Sequence, residues 1–125
     1  MTNMHRIGMV AFIAMSGCVS KSDIKNEIPM LDRKFNGDFL SVGACVHDAI
    51  QTSSGYSISP SVQFITSRDW VEVQTTGTSG ITGTIYGQVT RLTDLGDSRF
   101  RAVVQAGYTA DGDIAIESLM RCVAE

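Results

Sequence analysis

Apolar and polar positions alternate along this chain with two different periods, and the changes of period divide it into elements. From Asn36 to Ser54, the residues Phe39, Val42, Gly43, Val46, Ala49 and Ile50 recur at the spacing of one helix face. Asn36 or Asp38 suits the N-terminal cap and Gly55 the C-terminal one. Gly43 costs about 1 kcal/mol of helix propensity relative to Ala, but a residue without a side chain lets a helix approach a sheet closely. After Gly55 the period falls to two. Ser61 to Thr66 alternates with Val62 and Phe64 on one side. Trp70 to Thr76 sets Val71 and Val73 against Trp70, Glu72 and Gln74. Ile81 to Leu92 sets Ile81, Gly83, Ile85, Gly87 and Val89 against Thr82, Thr84, Tyr86, Gln88 and Thr90. Arg99 to Tyr108 sets Phe100, Ala102, Val104, Ala106 and Tyr108 against Arg99, Arg101, Val103 and Gln105. Short Ser-Arg-Asp, Gly-rich and Asp-Leu-Gly-Asp turns join the four runs, which predicts an antiparallel meander with one buried and one wet face.

Ile114 to Glu125 fits a helix capped by Asp113 through Ile116, Leu119, Met120 and Val123, although Ile114 and Ile116 also suit the start of a fifth strand. With the helix, the expected fold is α+β: a two-layer, four-stranded antiparallel sheet with an N-terminal and a C-terminal helix on one face, in the order α-β-β-β-β-α. Val19 to Lys34 is polar and weakly patterned, and reads as a flexible tether. In sixteen extended residues it reaches at most about 55 Å.

Length and composition narrow the class. The chain has 125 residues, enough for one domain, and a formal net charge of −3. A nucleic-acid binder would show a basic excess, so nucleic acid is not expected as a partner. With two prolines and no charge blocks, the chain does not read as disordered.

The first seventeen residues carry an address. Arg6 is followed by the uncharged run Ile7 to Met15, too short to span a bilayer, and then by Met15-Ser16-Gly17-Cys18. This segment resembles the bacterial lipoprotein signal, whose lipobox ends in two small residues and a cysteine. The resemblance implies that residues 1–17 are removed, that Cys18 is lipidated and becomes the first residue, and that the protein is anchored to a membrane through its acyl chains. Val19, rather than Asp, follows the cysteine, and the family pattern then implies the outer membrane, facing the periplasm. On this reading residues 18–34 are the lipidated cysteine and tether, and residues 35–125 the domain.

Setting Cys18 aside leaves Cys45 and Cys122, most simply a single structural disulfide in an oxidising compartment. The part of the chain from Cys18 on has no C-x-x-C pair and one histidine, His47, which does not support a metal site, so no metal and no cofactor is expected. His47 and Asp48 are helix neighbours that diverge by about 100° and read as an exposed pair rather than a relay. The pairs Asp94/Asp97 and Asp111/Asp113 lack the calcium-loop pattern and suit turns. The Gly77 to Gly87 run lacks the P-loop lysine, and its glycines suit a turn, a bulge or close packing. No catalytic residues are assigned.

What remains is the predicted wet face, with Trp70, Glu72, Gln74, Thr82, Thr84, Tyr86, Gln88, Arg99, Arg101 and Gln105. Trp, Tyr and Arg are the types enriched at binding hot spots, so Trp70, Tyr86, Arg99 and Arg101 form the candidate binding face. The expected function is that of a non-enzymatic anchored lipoprotein acting through a protein partner, as part of an envelope or secretion machine or as an immunity or inhibitor protein. The alternative is a peptidoglycan- or glycan-binding module using Trp70 and Tyr86 as stacking platforms.

Overall fold

A computed structural model of the chain describes residues 21–53, 61–79 and 83–123. The fold is α+β. A short helix α1 (Lys21–Lys25) precedes strand β1 (Leu31–Asn36) and helix α2 (Phe39–Gln51). Strands β2 (Ser61–Thr66), β3 (Trp70–Ser79), β4 (Gly83–Gly96) and β5 (Arg99–Ala106) follow, and helix α3 (Thr109–Val123) comes last. The sheet is antiparallel throughout, in the order β1-β5-β4-β3-β2.

The expected helix–meander–helix succession is present, with a fifth strand added. Residues 31–36, read above as the end of the tether, pair with β5 from Leu31 opposite Val104 to Asn36 opposite Arg99. Two apolar residues, Leu31 and Phe35, pack against the core at one edge. That is too few for the alternation of L-D-R-K-F-N to stand out, since Arg33 takes the middle inward position and lies over the Phe35 ring at 4.8 Å. The residues before β1 are not all tether either, because α1 folds back on the sheet.

α2 begins where Asp38 caps it, accepting from the Ser41 N–H at 3.0 Å. It ends near Thr52, short of Gly55, which lies outside the described residues. α3 begins at Thr109, four residues before the cap expected at Asp113. Both helices lie on one sheet face. Val46 and Ile50 of α2, and Ala115 and Leu119 of α3, close over Val71, Val73, Leu92, Phe100, Ala102 and Val104. Gly43 is where α2 comes nearest the sheet: a Cβ there would sit 2.7 Å from Val71 Cγ2 and 3.2 Å from Phe64. Cys45 and Cys122 join the two helices in a disulfide, with their Cα atoms 5.9 Å apart.

The turn from β4 to β5 is a two-residue one. Asp97 and Ser98 both have φ of 55°, the left-handed pair that a tight hairpin between twisted strands requires.

One expectation about β4 is corrected. Strict alternation puts Gln88 and Thr90 with Tyr86 on the wet face, yet Gln88 and Thr90 are fully buried on the helix-covered face. The ladder passes from Thr75 opposite Gln88 to Thr76 opposite Tyr86, which leaves Gly87 as an extra residue. This bulge reverses the facing of everything after it. Gln88, Thr90 and Leu92 therefore face the helices, and Val89 and Arg91 the other side. Gln88 satisfies its amide inside by donating to Val73 O at 3.1 Å and Thr75 Oγ1 at 3.0 Å, while Thr90 donates to its Oε1 at 2.6 Å.

Candidate functional site

The sheet face away from α2 and α3 is ordered by the registers into cross-strand rows. One row runs Trp70, Thr93, Arg101, Lys34. The next runs Ile65, Glu72, Arg91, Val103, Asp32, and a third Gln63, Gln74, Val89, Gln105. Of the candidate residues, Trp70, Arg99 and Arg101 share one end of this face. Tyr86 lies opposite Thr76, six residues along β3 from Trp70, a separation of about 20 Å. The two aromatic rings are thus not brought together as one stacking platform. Gln88 faces the helices, and Thr82 and the Thr84 side chain lie outside the described residues.

α1 covers part of the face. Ile24 is fully buried beneath it, as is Val89 of β4. Gln105 of β5 holds the segment that follows, its Nε2 donating to Lys25 O and Glu27 O at 2.9 Å each. The strongest fixation is ionic. Glu72 is fully buried, with Lys21 Nζ at 2.9 Å, Lys25 Nζ at 2.7 Å and Arg91 at 3.6 Å, and Gln74 donates to it at 3.1 Å. Burial pushes the Glu72 carboxyl up, and the hydrogen bonds from Lys25 and Lys21 outweigh it, so the net displacement is below the ordinary glutamate value. The sequence reading placed Glu72 on a wet face and missed this buried cluster. Its signal was present, because Lys21, Ile24 and Lys25 stand at the i, i+3, i+4 spacing of one helix face.

Beyond α1 the face stays open and cationic. Arg91 stacks over the half-buried Trp70 ring at 4.1 Å. Arg101 makes a two-point pair with Asp32 at 2.8 and 2.5 Å, and its guanidinium holds the Asp32 carboxyl below its ordinary value. Lys34 and Arg99 are exposed, have no ion-pair partner among the described residues, and line a shallow cleft of about 450 Å³ with Phe35, Asn36 and Val123.

His47 is less exposed than expected. Its ring lies 5.7 Å from that of Phe64, and its Nδ1 is 3.6 Å from Asp48 Oδ1, beyond hydrogen-bond reach. Asp94 Oδ1 accepts from the Gly96 N–H at 2.9 Å in its turn. Asp111 and Asp113 fall in the first turns of α3. Among the described residues no three His, Cys, Asp or Glu side chains lie together as a metal set, and no helix is long and apolar enough to cross a membrane. Residues 1–20, with the lipobox and Cys18, are outside the described part.

Comparison with protein-family models, with curated proteins and with solved structures finds no match to this chain.

Proposed function

We propose that the protein is a non-enzymatic lipoprotein, held by acyl chains on Cys18 in the outer membrane and facing the periplasm, that acts by binding another envelope protein. The observation that carries this reading is the position of α1. Lys21 follows Cys18 by three residues, a reach of at most roughly 11 Å. From there the chain is packed into the domain through Ile24 and the Glu72 cluster. An anchor so placed holds a rigid body against the membrane surface rather than a domain on a long leash.

The two-helix layer then points away from the bilayer. It presents the exposed carboxylates Asp48, Asp113 and Glu117, braced by the Cys45–Cys122 bridge. That surface suits a basic partner, whether a component of an envelope machine or a secreted enzyme that the lipoprotein neutralises. The test is crosslinking in intact cells, affinity capture and mass spectrometry, run on the wild type and on Cys18→Ser. One protein recovered near stoichiometry with the wild type, and lost when Asp48, Asp113 and Glu117 are replaced by Lys, is the expected result. Capture unaffected by that triple replacement, or recovery of cell-wall fragments alone, contradicts it.

A further inference from the structure

Charge is unevenly divided between the two sides of the sheet. Nine cations follow Cys18 in the sequence, and six of them, Lys21, Lys25, Lys34, Arg91, Arg99 and Arg101, lie on α1 or the face it covers. The carboxylates on that side are Asp23, Glu27, Asp32 and Glu72. Of these, Glu72 is buried beneath the cations and Asp32 is paired with Arg101. Asp48, Asp111, Asp113 and Glu117 lie instead on the two helices of the other side, and the net charge of the chain is negative.

The same side carries apolar groups turned to solvent. Ile28, just after α1, is 89% exposed, and Ile65 stands exposed in the row of Glu72. Trp70, one row from Ile65, is half-buried under Arg91. Cations interspersed with an indole and isoleucines match the interface of a bilayer. There a ring sits among the headgroups, phosphates meet the cations, and aliphatic tips enter the acyl boundary.

From these placements we infer that the open sheet face, with α1, docks flat on an anionic phospholipid surface, through Trp70, Arg91, Lys34 and Arg99. The inference rests on the anchored reading for its biological setting, since the lipid would hold this same side to the membrane. The charge asymmetry stands without it. Docking fixes orientation, and so leaves the acidic helix layer free for a partner.

Trp70 is the only tryptophan of the chain and lies within the proposed contact, so it reports directly. The full protein, purified from membranes, is added to vesicles of phosphatidylcholine alone or mixed with phosphatidylglycerol, each also prepared with brominated acyl chains. Flotation on pure phosphatidylcholine reads the lipid anchor, and quenching of Trp70 by bromine reads the docking. The expected result is quenching at least about twofold stronger on the anionic vesicles and weakened by salt, because phosphate–cation attraction is screened. Lys34→Glu with Arg99→Glu, both at exposed positions, is expected to abolish that excess while flotation persists. Asp113→Lys with Glu117→Lys on the helix layer leaves it unchanged. Equal or absent quenching on the two compositions while the protein floats overturns the docking. So does a Trp70 response to soluble polyglutamate but not to vesicles, which would assign the face to an acidic protein. Failure to float on pure phosphatidylcholine, with quenching retained on anionic vesicles, overturns the anchor and leaves the docking standing.

Discussion

At position 72 the chain buries a carboxylate between two strands and a helix of only five residues. Such a helix is not stable alone, so it depends on Ile24 and on the ammonium groups that meet Glu72. Glu72→Gln keeps the shape and removes the charge. The cations left behind are about one-third exposed and can turn to water, which limits the cost to about 1–3 kcal/mol. Urea denaturation of the variant measures it. The native-state Glu72 carboxyl is held below its ordinary value, so this stabilisation is complete above the unfolded-chain pKa, roughly 4.3, and is lost as pH falls through the lower native value. The difference in stability between wild type and Glu72→Gln therefore shrinks as pH is lowered from neutral toward 3; a difference independent of pH would contradict the assignment. Gly43 gives a second residue-scale prediction. Gly43→Ala gains helix propensity of about 1 kcal/mol but drives a Cβ to 2.7 Å from Val71, and the overpacking costs about 1–3 kcal/mol. The melting temperature is expected to fall.

Among the elements, β4 shows why the facing of side chains was only partly legible in the sequence. Its alternation of Ile, Gly and Val against Thr, Tyr and Gln is regular through residue 90, and nothing in the pattern itself announces the extra residue at Gly87. A glycine-rich strand does allow a bulge, and that much could be read. Which glycine takes it depends on packing across strands: Gly87 O accepts from the backbone N–H of Gly107 at 2.9 Å and of Tyr108 at 3.3 Å, beyond the end of β5. α2 and the runs of β2, β3 and β5 were legible because each has an uninterrupted period and one plainly apolar side. β1 and α1 were not, since each contributes only one or two apolar residues to a surface formed by other segments. For α1, Ile24→Ala removes its one fully buried apolar side chain and is expected to release the helix at a cost of about 2–4 kcal/mol. Hydrogen exchange is the check: Val89 and its neighbours should lose protection while Val71 and Val73 under α2 keep theirs.

For the molecule as a whole, the Cys45–Cys122 bridge spans 77 residues and ties α2 to α3 over the helix-covered face. Loop-closure entropy for that span corresponds to about 4.5 kcal/mol, a large share of the roughly 5–15 kcal/mol that holds a domain of this size. Reduction should lower the urea midpoint markedly; equal midpoints with and without reductant would contradict a stabilising role. The bridge was predicted from cysteine arithmetic once Cys18 was set aside, and its geometry now lies on the surface proposed to meet a partner. On the proposed reading, the cationic face and the three-residue step from Cys18 to Lys21 set the membrane side, and the acidic helix layer the periplasmic side. All of this turns on what becomes of Cys18. Intact-mass and N-terminal peptide measurement of the protein purified from bacterial membranes tests it most directly. The account predicts a chain beginning at Cys18 and carrying the mass of a diacylglyceryl group with further acylation. A chain that retains residues 1–17, or one that begins after them with an unmodified Cys18, would contradict it.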